Sequence, residues 1–266
     1  MNRYVELVDP WDRPSRAVWE EDLEDVDYST QYTLVKNNDV VESIPITHVV
    51  VATSSLTCGV VQAILDHQSN ERTLWASLFQ DNRKVFTLYT CPLEGVGTVL
   101  FGLGNDLRWS SSGVGSTSIG DDLHSIARLL VDSITVDRWI ILDSMASYLM
   151  EKQLGAQGDD ESVLVRYCLS SELLQVPSFR ALLPHILKAP AALTGLSAAL
   201  MTSLEIGKRP SCTIIVSENQ LDDARPFAYA LLVTLQNVLG WKSSVERFIL
   251  PQLNNSFRMK RDSLYL

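Results

Sequence analysis

From Ile46 onward the chain alternates short apolar runs with stretches of helical spacing, and this alternation is its strongest structural signal. His48-Val49-Val50-Val51-Ala52 is a β-branched run, and Gly59 to Asp66 follows it with apolar residues at helical intervals, so the pattern predicts strand, turn and helix. Lys84 to Thr90 and Thr98 to Phe101 read as two further strands. Asp121 to Ser133 carries apolar residues at 123, 126, 127, 130 and 131, the stripe of an amphipathic helix, with acidic residues at the N-terminal end that its dipole favours. Arg138 to Leu142 (RWIIL) has the apolar run of a strand covered on both faces.

Leu154 to Glu161 holds two glycines and three acids and is expected to be a loop, with a strand over Val163 to Leu169 after it. Residues 171 to 188 show no clear pattern. Ala191 to Glu205 reads as a helix rich in small residues, ended by Gly207 and Pro210, and Cys212 to Val216 (CTIIV) as another buried strand. Asp222 to Leu239 completes the pattern as a long helix with Gly240 at its C-terminal end. Strands alternating with helices predict an α/β fold with a central, mostly parallel sheet and helices on both faces.

Ahead of this core the pattern fails. Residues 1 to 46 carry 11 Asp and Glu against Arg3, Arg13, Arg16 and Lys36, which places −7 of the total formal charge of −10 in this segment. A cluster such as Glu20 to Asp27 repels itself and stays solvated, so residues 1–45 are expected to form an acidic, largely flexible extension with a short ordered patch near Tyr32 to Val35. Residues 46–253 are then the α/β domain and 254–266 a flexible tail.

The charge balance argues against a surface built to neutralise a phosphate backbone, so nucleic acid is not an expected partner. No apolar run reaches the 18 residues of a membrane helix, and the first residues lack a signal-peptide core, so no membrane partner is expected and the cytosol, with the nucleus second, is the expected location. Cys58, Cys91, Cys168 and Cys212 stand far apart without a CxxC pair and read as reduced cysteines of a cytosolic protein.

Catalytic and cofactor motifs do not emerge. Ser110 to Gly120 (SSSGVGSTSIG) is rich in glycine, and Gly115 to Gly120 has P-loop spacing, but Asp121 and Asp122 stand where Lys and Ser or Thr are required. The dinucleotide form fails too, because Ser118 occupies the third glycine position. There is no GxSxG, and His48, His67, His124 and His185 are too dispersed for paired metal ligation on one helix. The expectation is a binding protein without catalytic residues, cofactor or metal.

Several stretches resemble proteasome assembly chaperone 1. Pro190 to Val216 (PAALTGLSAALMTSLEIGKRPSCTIIV) has that family's small-residue helix, polar break and strand, and Asp222 to Leu235 (DDARPFAYALLVTL) continues the match. Thr47 to Leu65 is similar to its first strand and helix, and Leu74 to Phe79 (LWASLF) falls where it has a further Trp-containing segment. The chain also ends, as these chaperones do, in a hydrophobic residue, a tyrosine and any last residue: Leu264, Tyr265 and Leu266.

The resemblance implies a fold similar to that of purine nucleoside phosphorylases, used without chemistry. It implies a heterodimer with proteasome assembly chaperone 2 that binds α-subunits of the 20S proteasome and promotes α-ring assembly. Leu264, Tyr265 and Leu266 would dock in a pocket between α-subunits, the tyrosine as a rigid anchor and the terminal carboxylate meeting a lysine. Arg258, Lys260 and Arg261 would meet acidic residues at its rim. A dimer face is expected on the apolar side chains of the helix from Ala191 to Leu204, whose small residues permit close approach. The rival readings are a nucleoside phosphorylase-like enzyme and an acidic adaptor working through its N-terminal extension.

Overall fold

The computed structural model describes residues 32–37, 45–80, 82–104, 119–146, 165–177, 179, 193–218 and 225–241. Among them eight strands form one sheet: β1 (Tyr32–Lys36), β2 (Ile46–Ala52), β3 (Thr73–Gln80), β4 (Arg83–Leu93), β5 (Gly97–Gly104), β6 (Arg138–Ala146), β7 (Val165–Leu169) and β8 (Ser211–Glu218). The helices are α1 (Ser55–His67), α2 (Ile119–Ser133), α3 (Ser171–Leu174), α4 (Gly195–Ile206) and α5 (Arg225–Leu239).

The sheet order is β1-β3-β4-β5-β2-β6-β8-β7. The expectation of a mostly parallel sheet is corrected. Three pairings, β5 with β2, β2 with β6 and β6 with β8, are parallel, whereas β1 with β3, β3 with β4, β4 with β5 and β7 with β8 are antiparallel. From β3 to β5 the cause is connection length. These strands follow one another through turns too short to hold a helix, and such turns can only reverse the chain. The edge strands β1 and β7 then add one antiparallel pair at either side. At the β4–β5 turn Gly95 and Gly97 take φ of +79° and +99°, values open to glycine at little cost.

In the parallel centre, successive residues of each strand feed opposite cores. Val49 and Val51 of β2 and Trp139 and Ile141 of β6 pack with Ile126 and Leu130 of α2 and Leu200 and Leu204 of α4. Val50 and Ala52 of β2 and Ile140 and Leu142 of β6 pack instead with Val60 and Ile64 of α1 and Leu231 and Leu235 of α5. Helices therefore cover both faces, as the apolar runs require. Among the α2 side chains described, the buried ones are those of the sequence stripe: Leu123, Ile126, Ala127, Leu130 and Val131.

Local chemistry fixes where the helices begin and end. At the start of α1 the Ser54 hydroxyl accepts from Thr57 N at 3.4 Å and the Thr57 hydroxyl accepts from Ser54 N at 3.0 Å, a reciprocal cap that satisfies two otherwise orphaned donors. Gly240 ends α5 at φ +72°, in the left-handed conformation that its place in the sequence suggests. The end of α4 differs. Gly207 keeps φ −75° and Lys208 takes the left-handed turn at φ +50°, with Arg209 N donating to Leu204 O at 2.9 Å.

The short ordered patch expected near Tyr32 to Val35 is found as β1, Tyr32–Lys36. It is an edge strand of the sheet, paired with β3. Residues 1–31, Leu154 to Glu161 and 242–266 lie outside the described residues, as does the glycine-rich segment as far as residue 118.

Gly102 offers a direct test of the packing. A Cβ there would stand 2.7 Å from the ring of Phe86, a buried side chain of the neighbouring β4. Gly102→Ala is expected to destabilise the protein by about 1–3 kcal/mol by overpacking, and adding Phe86→Leu is expected to recover part of that loss in denaturant melts.

Candidate functional site

The carboxyl ends of the parallel strands are where an open α/β sheet would hold a ligand. Here β6 runs through Asp143 and Ser144 near its end, and the chain after β2 turns into α1 through Thr53 and Ser54. Asp143 is already engaged: its Oδ2 accepts from the buried Ser197 hydroxyl at 2.5 Å and its Oδ1 from Ser144 N at 2.9 Å. Ser197 stands in the first turn of α4, so the carboxylate ties that helix to β6. Thr53 is likewise turned inward, its hydroxyl donating to Leu142 O at 3.0 Å. These contacts hold secondary structure together rather than presenting polar atoms to a ligand.

A serine and an aspartate in direct contact need a histidine to become a nucleophilic system. His48 cannot supply it. It is in register with Arg138, five residues before Asp143, which places it about 16 Å away along the strand direction. His67 ends α1 and His124 is exposed on α2, while His185 lies outside the described residues.

The buried cysteines are held as thiols. Cys91 is pushed up to about 12, chiefly by burial and then by Glu71, with Arg72 opposing. Burial also raises Cys212, with Cys168 adding to it, and raises Cys168, with Glu205 adding to it. A thiolate is the nucleophilic and metal-binding form, so these three groups are poorly suited to either task. Although Cys168 and Cys212 sit on adjacent strands, they belong to opposite cores, and no disulfide joins any of the four cysteines. Among the described residues no cluster of three or more His, Cys, Asp or Glu is arranged to hold a metal ion.

The surface expected to pair with a partner is corrected. In α4, Leu196, Ala199, Leu200, Met201 and Leu204 are buried, packed in the core shared with α2. The small residues of this helix serve close packing inside the fold. Its exposed apolar residue is Ile206, beyond the expected stretch and 79% accessible. Leu174 and Val176 are exposed in and just after α3, which is tied to the same end of α4 by Ser171 N donating to Glu205 Oε2 at 3.0 Å. The sequence pattern does not reveal this grouping, because residues 171 to 188 show no period and Ile206 follows a helix stripe that is otherwise buried.

Leu264, Tyr265 and Leu266, with Arg258, Lys260 and Arg261, lie outside the described residues. No helix among the described residues is long and apolar enough to cross a membrane.

The architecture is shared with known structures. Pyrococcus furiosus PbaB, an archaeal proteasome activator, matches with a TM-score of 0.61 at 12% identity over 89% of this chain and 98% of its own. Pyrococcus furiosus PbaA, an archaeal homolog of proteasome-assembly chaperone, matches with a TM-score of 0.56 at 14% identity over 87% of this chain and 94% of its own. A Thermoplasma acidophilum protein of unknown function matches at 0.58 and 11% identity over 84% of this chain and 89% of its own. No family model and no curated protein sequence matches the chain. The chain therefore has the fold of PbaB and PbaA, a fold found in a proteasome activator and in an assembly-chaperone homolog. These structures give the expected likeness to nucleoside phosphorylases no support.

His48 makes the electrostatics of the opposite end of the sheet testable. The Thr47 hydroxyl donates to Thr98 O at 3.1 Å, so its contact with His48 Nδ1 at 2.9 Å takes a proton from the ring. Burial, and then the Arg138 charge, hold the His48 imidazolium below its ordinary value of 6.5, with Asp137 opposing. The unfolded chain thus binds this proton first. Stability from His48 is complete above about pH 6.5 and falls as the pH drops from there toward the lower folded value. His48→Gln is expected to flatten this part of the stability profile, as read from denaturant midpoints between about pH 7.5 and 5.

Proposed function

We propose that the chain is a non-enzymatic proteasome assembly chaperone that binds 20S α-subunits as a heterodimer with proteasome assembly chaperone 2. The observation that carries this reading is the fold of PbaB and PbaA, which extends over nearly the whole of this chain and of theirs. The Leu264-Tyr265-Leu266 motif supports it independently, because its pattern is a property of the tail and not of the fold. The polar, basic stretch from Asn254 to Ser263 has the composition of a linker that lets a short peptide reach a pocket.

The mechanism is multivalent. A folded dimer lies on the ring surface while the tail enters an inter-subunit pocket, so a weak peptide contact gains from high effective concentration. Tyr265 supplies apolar area on a rigid ring, and the Leu266 carboxylate supplies a charge for a lysine or a set of backbone amides. Asp143 and Ser197 have structural work in this scheme, and the protein acts in the cytosol, with the nucleus as a second compartment.

Tyr265→Ala or removal of Leu264 to Leu266 is expected to weaken α-ring binding by about 2 kcal/mol, roughly thirtyfold, while shifting folding stability by less than about 0.5 kcal/mol. One residue added after Leu266 keeps every side chain but displaces the carboxylate, and it is expected to weaken binding similarly. Equal α-ring affinity of native, extended and truncated tails at one salt concentration would overturn the docking mechanism. Failure of the native chain to bind α-subunits in the presence of its partner would overturn the chaperone reading itself.

A further inference from the structure

The two edge strands of the sheet are held very differently. On β7 Tyr167 and Leu169 are buried, and α3 follows directly behind the strand. On β1 no residue is fully buried: Tyr32 and Leu34 are half-buried, Thr33, Val35 and Lys36 are exposed or partly so, and Val35 is 53% accessible. The neighbouring β3 has buried residues from Trp75 to Leu78 and a long pairing with β4 on its other side. Burial of apolar area is the main source of local stability, so β1 is the most weakly anchored strand of the sheet.

Besides its ladder to β3 and the packing of Tyr32 and Leu34 on the core shared by α2 and α4, polar contacts tie down its C-terminal end. The Lys36 ammonium donates to Ser133 O at 3.1 Å and lies 5.1 Å from the centre of the Trp75 ring. Ser133 is the last residue of α2, and α2 has no basic residue in its own last turn. Its C-terminal carbonyls, the negative end of the helix dipole, therefore draw a cation from another element. Arg209 provides a second one, donating to Ile134 O at 3.1 Å from the turn after α4. Beside Lys36, Asn37 N donates to Trp75 O at 2.8 Å and Asn37 Nδ2 donates to Leu74 O at 3.2 Å.

We propose that β1 is a releasable strap over the β3 edge, and that Lys36 is its catch. The strap opens as a unit while β3, β4 and the parallel centre stay paired. Closed, it covers the backbone of β3 that would otherwise offer a template for strand pairing with another chain. The catch combines three contributions that act together: a charge-assisted hydrogen bond to a helix end, a cation over an indole ring, and the register that places Asn37 against Trp75.

Residue-resolved amide exchange on the full chain in native buffer tests this. The amides of β1 that donate to β3, with Asn37 N among the strap's donors, are expected to exchange at least about tenfold faster than the paired amides of β2 and β6. Lys36→Met keeps an apolar stem over Trp75 but removes the charge and the donor. It is expected to speed exchange of the strap several-fold further, with β2 and β6 rates and the melting temperature unchanged. Strap amides that exchange at the rate of β2 and β6 would overturn the proposal. So would a Lys36→Met protein in which the strap rate is unaltered or every strand accelerates alike. If that variant does not fold, the wild-type exchange pattern alone decides whether the strap opens separately.

Discussion

Four central strands, β5, β2, β6 and β8, carry buried side chains on both faces, and neither face can be left in water. Much of the architecture answers that constraint. The helices α1 and α5 close one side and α2 and α4 the other, and long connections through helices let these four strands run parallel. Where the chain has no helix between strands, from β3 through β5, pairing turns antiparallel. Polar groups near the sheet are used to fasten its helices, as Asp143 does with Ser197 and Ser54 with Thr57.

This allocation of polar groups bears on function. A site for chemistry needs polar atoms that are positioned but not consumed, and the Asp143 carboxylate is occupied from two sides. The three thiols raised by burial are equally withdrawn. Among the described residues, the exposed apolar side chains include Ile206, Leu174 and Val176 near one end of α4, and β1 is lightly held at one edge. The proposed chaperone role would draw on surface of this kind.

Much of the core is legible because burial leaves a period in the sequence. The α2 stripe at 123, 126, 127, 130 and 131 matches the buried residues among those described, and the apolar run in β6 announces cover on both faces. Strand direction is less legible, since an apolar run looks alike in parallel and antiparallel pairings. The short turns from β3 to β5 carry that information, and only once both flanking strands are located. β3 itself is hard to locate because Thr73–Gln80 has no regular alternation, and a bulge between Leu74 and Ala76 disturbs its register. For α4 the composition is plain but its use is not: small residues permit close approach equally well to a neighbouring helix and to a partner. The glycine after α4 marks the helix end, yet the left-handed residue is Lys208, a choice set by local hydrogen bonding that a search for glycine cannot anticipate.

Affinity purification of the tagged full chain from cells making new proteasomes, with quantification of every co-purifying protein, decides whether this fold serves proteasome assembly. A role in proteasome assembly requires enrichment of 20S α-subunits together with one further chain of the same fold. Recovery of the chain without α-subunits, under conditions that preserve assembly intermediates, would contradict it.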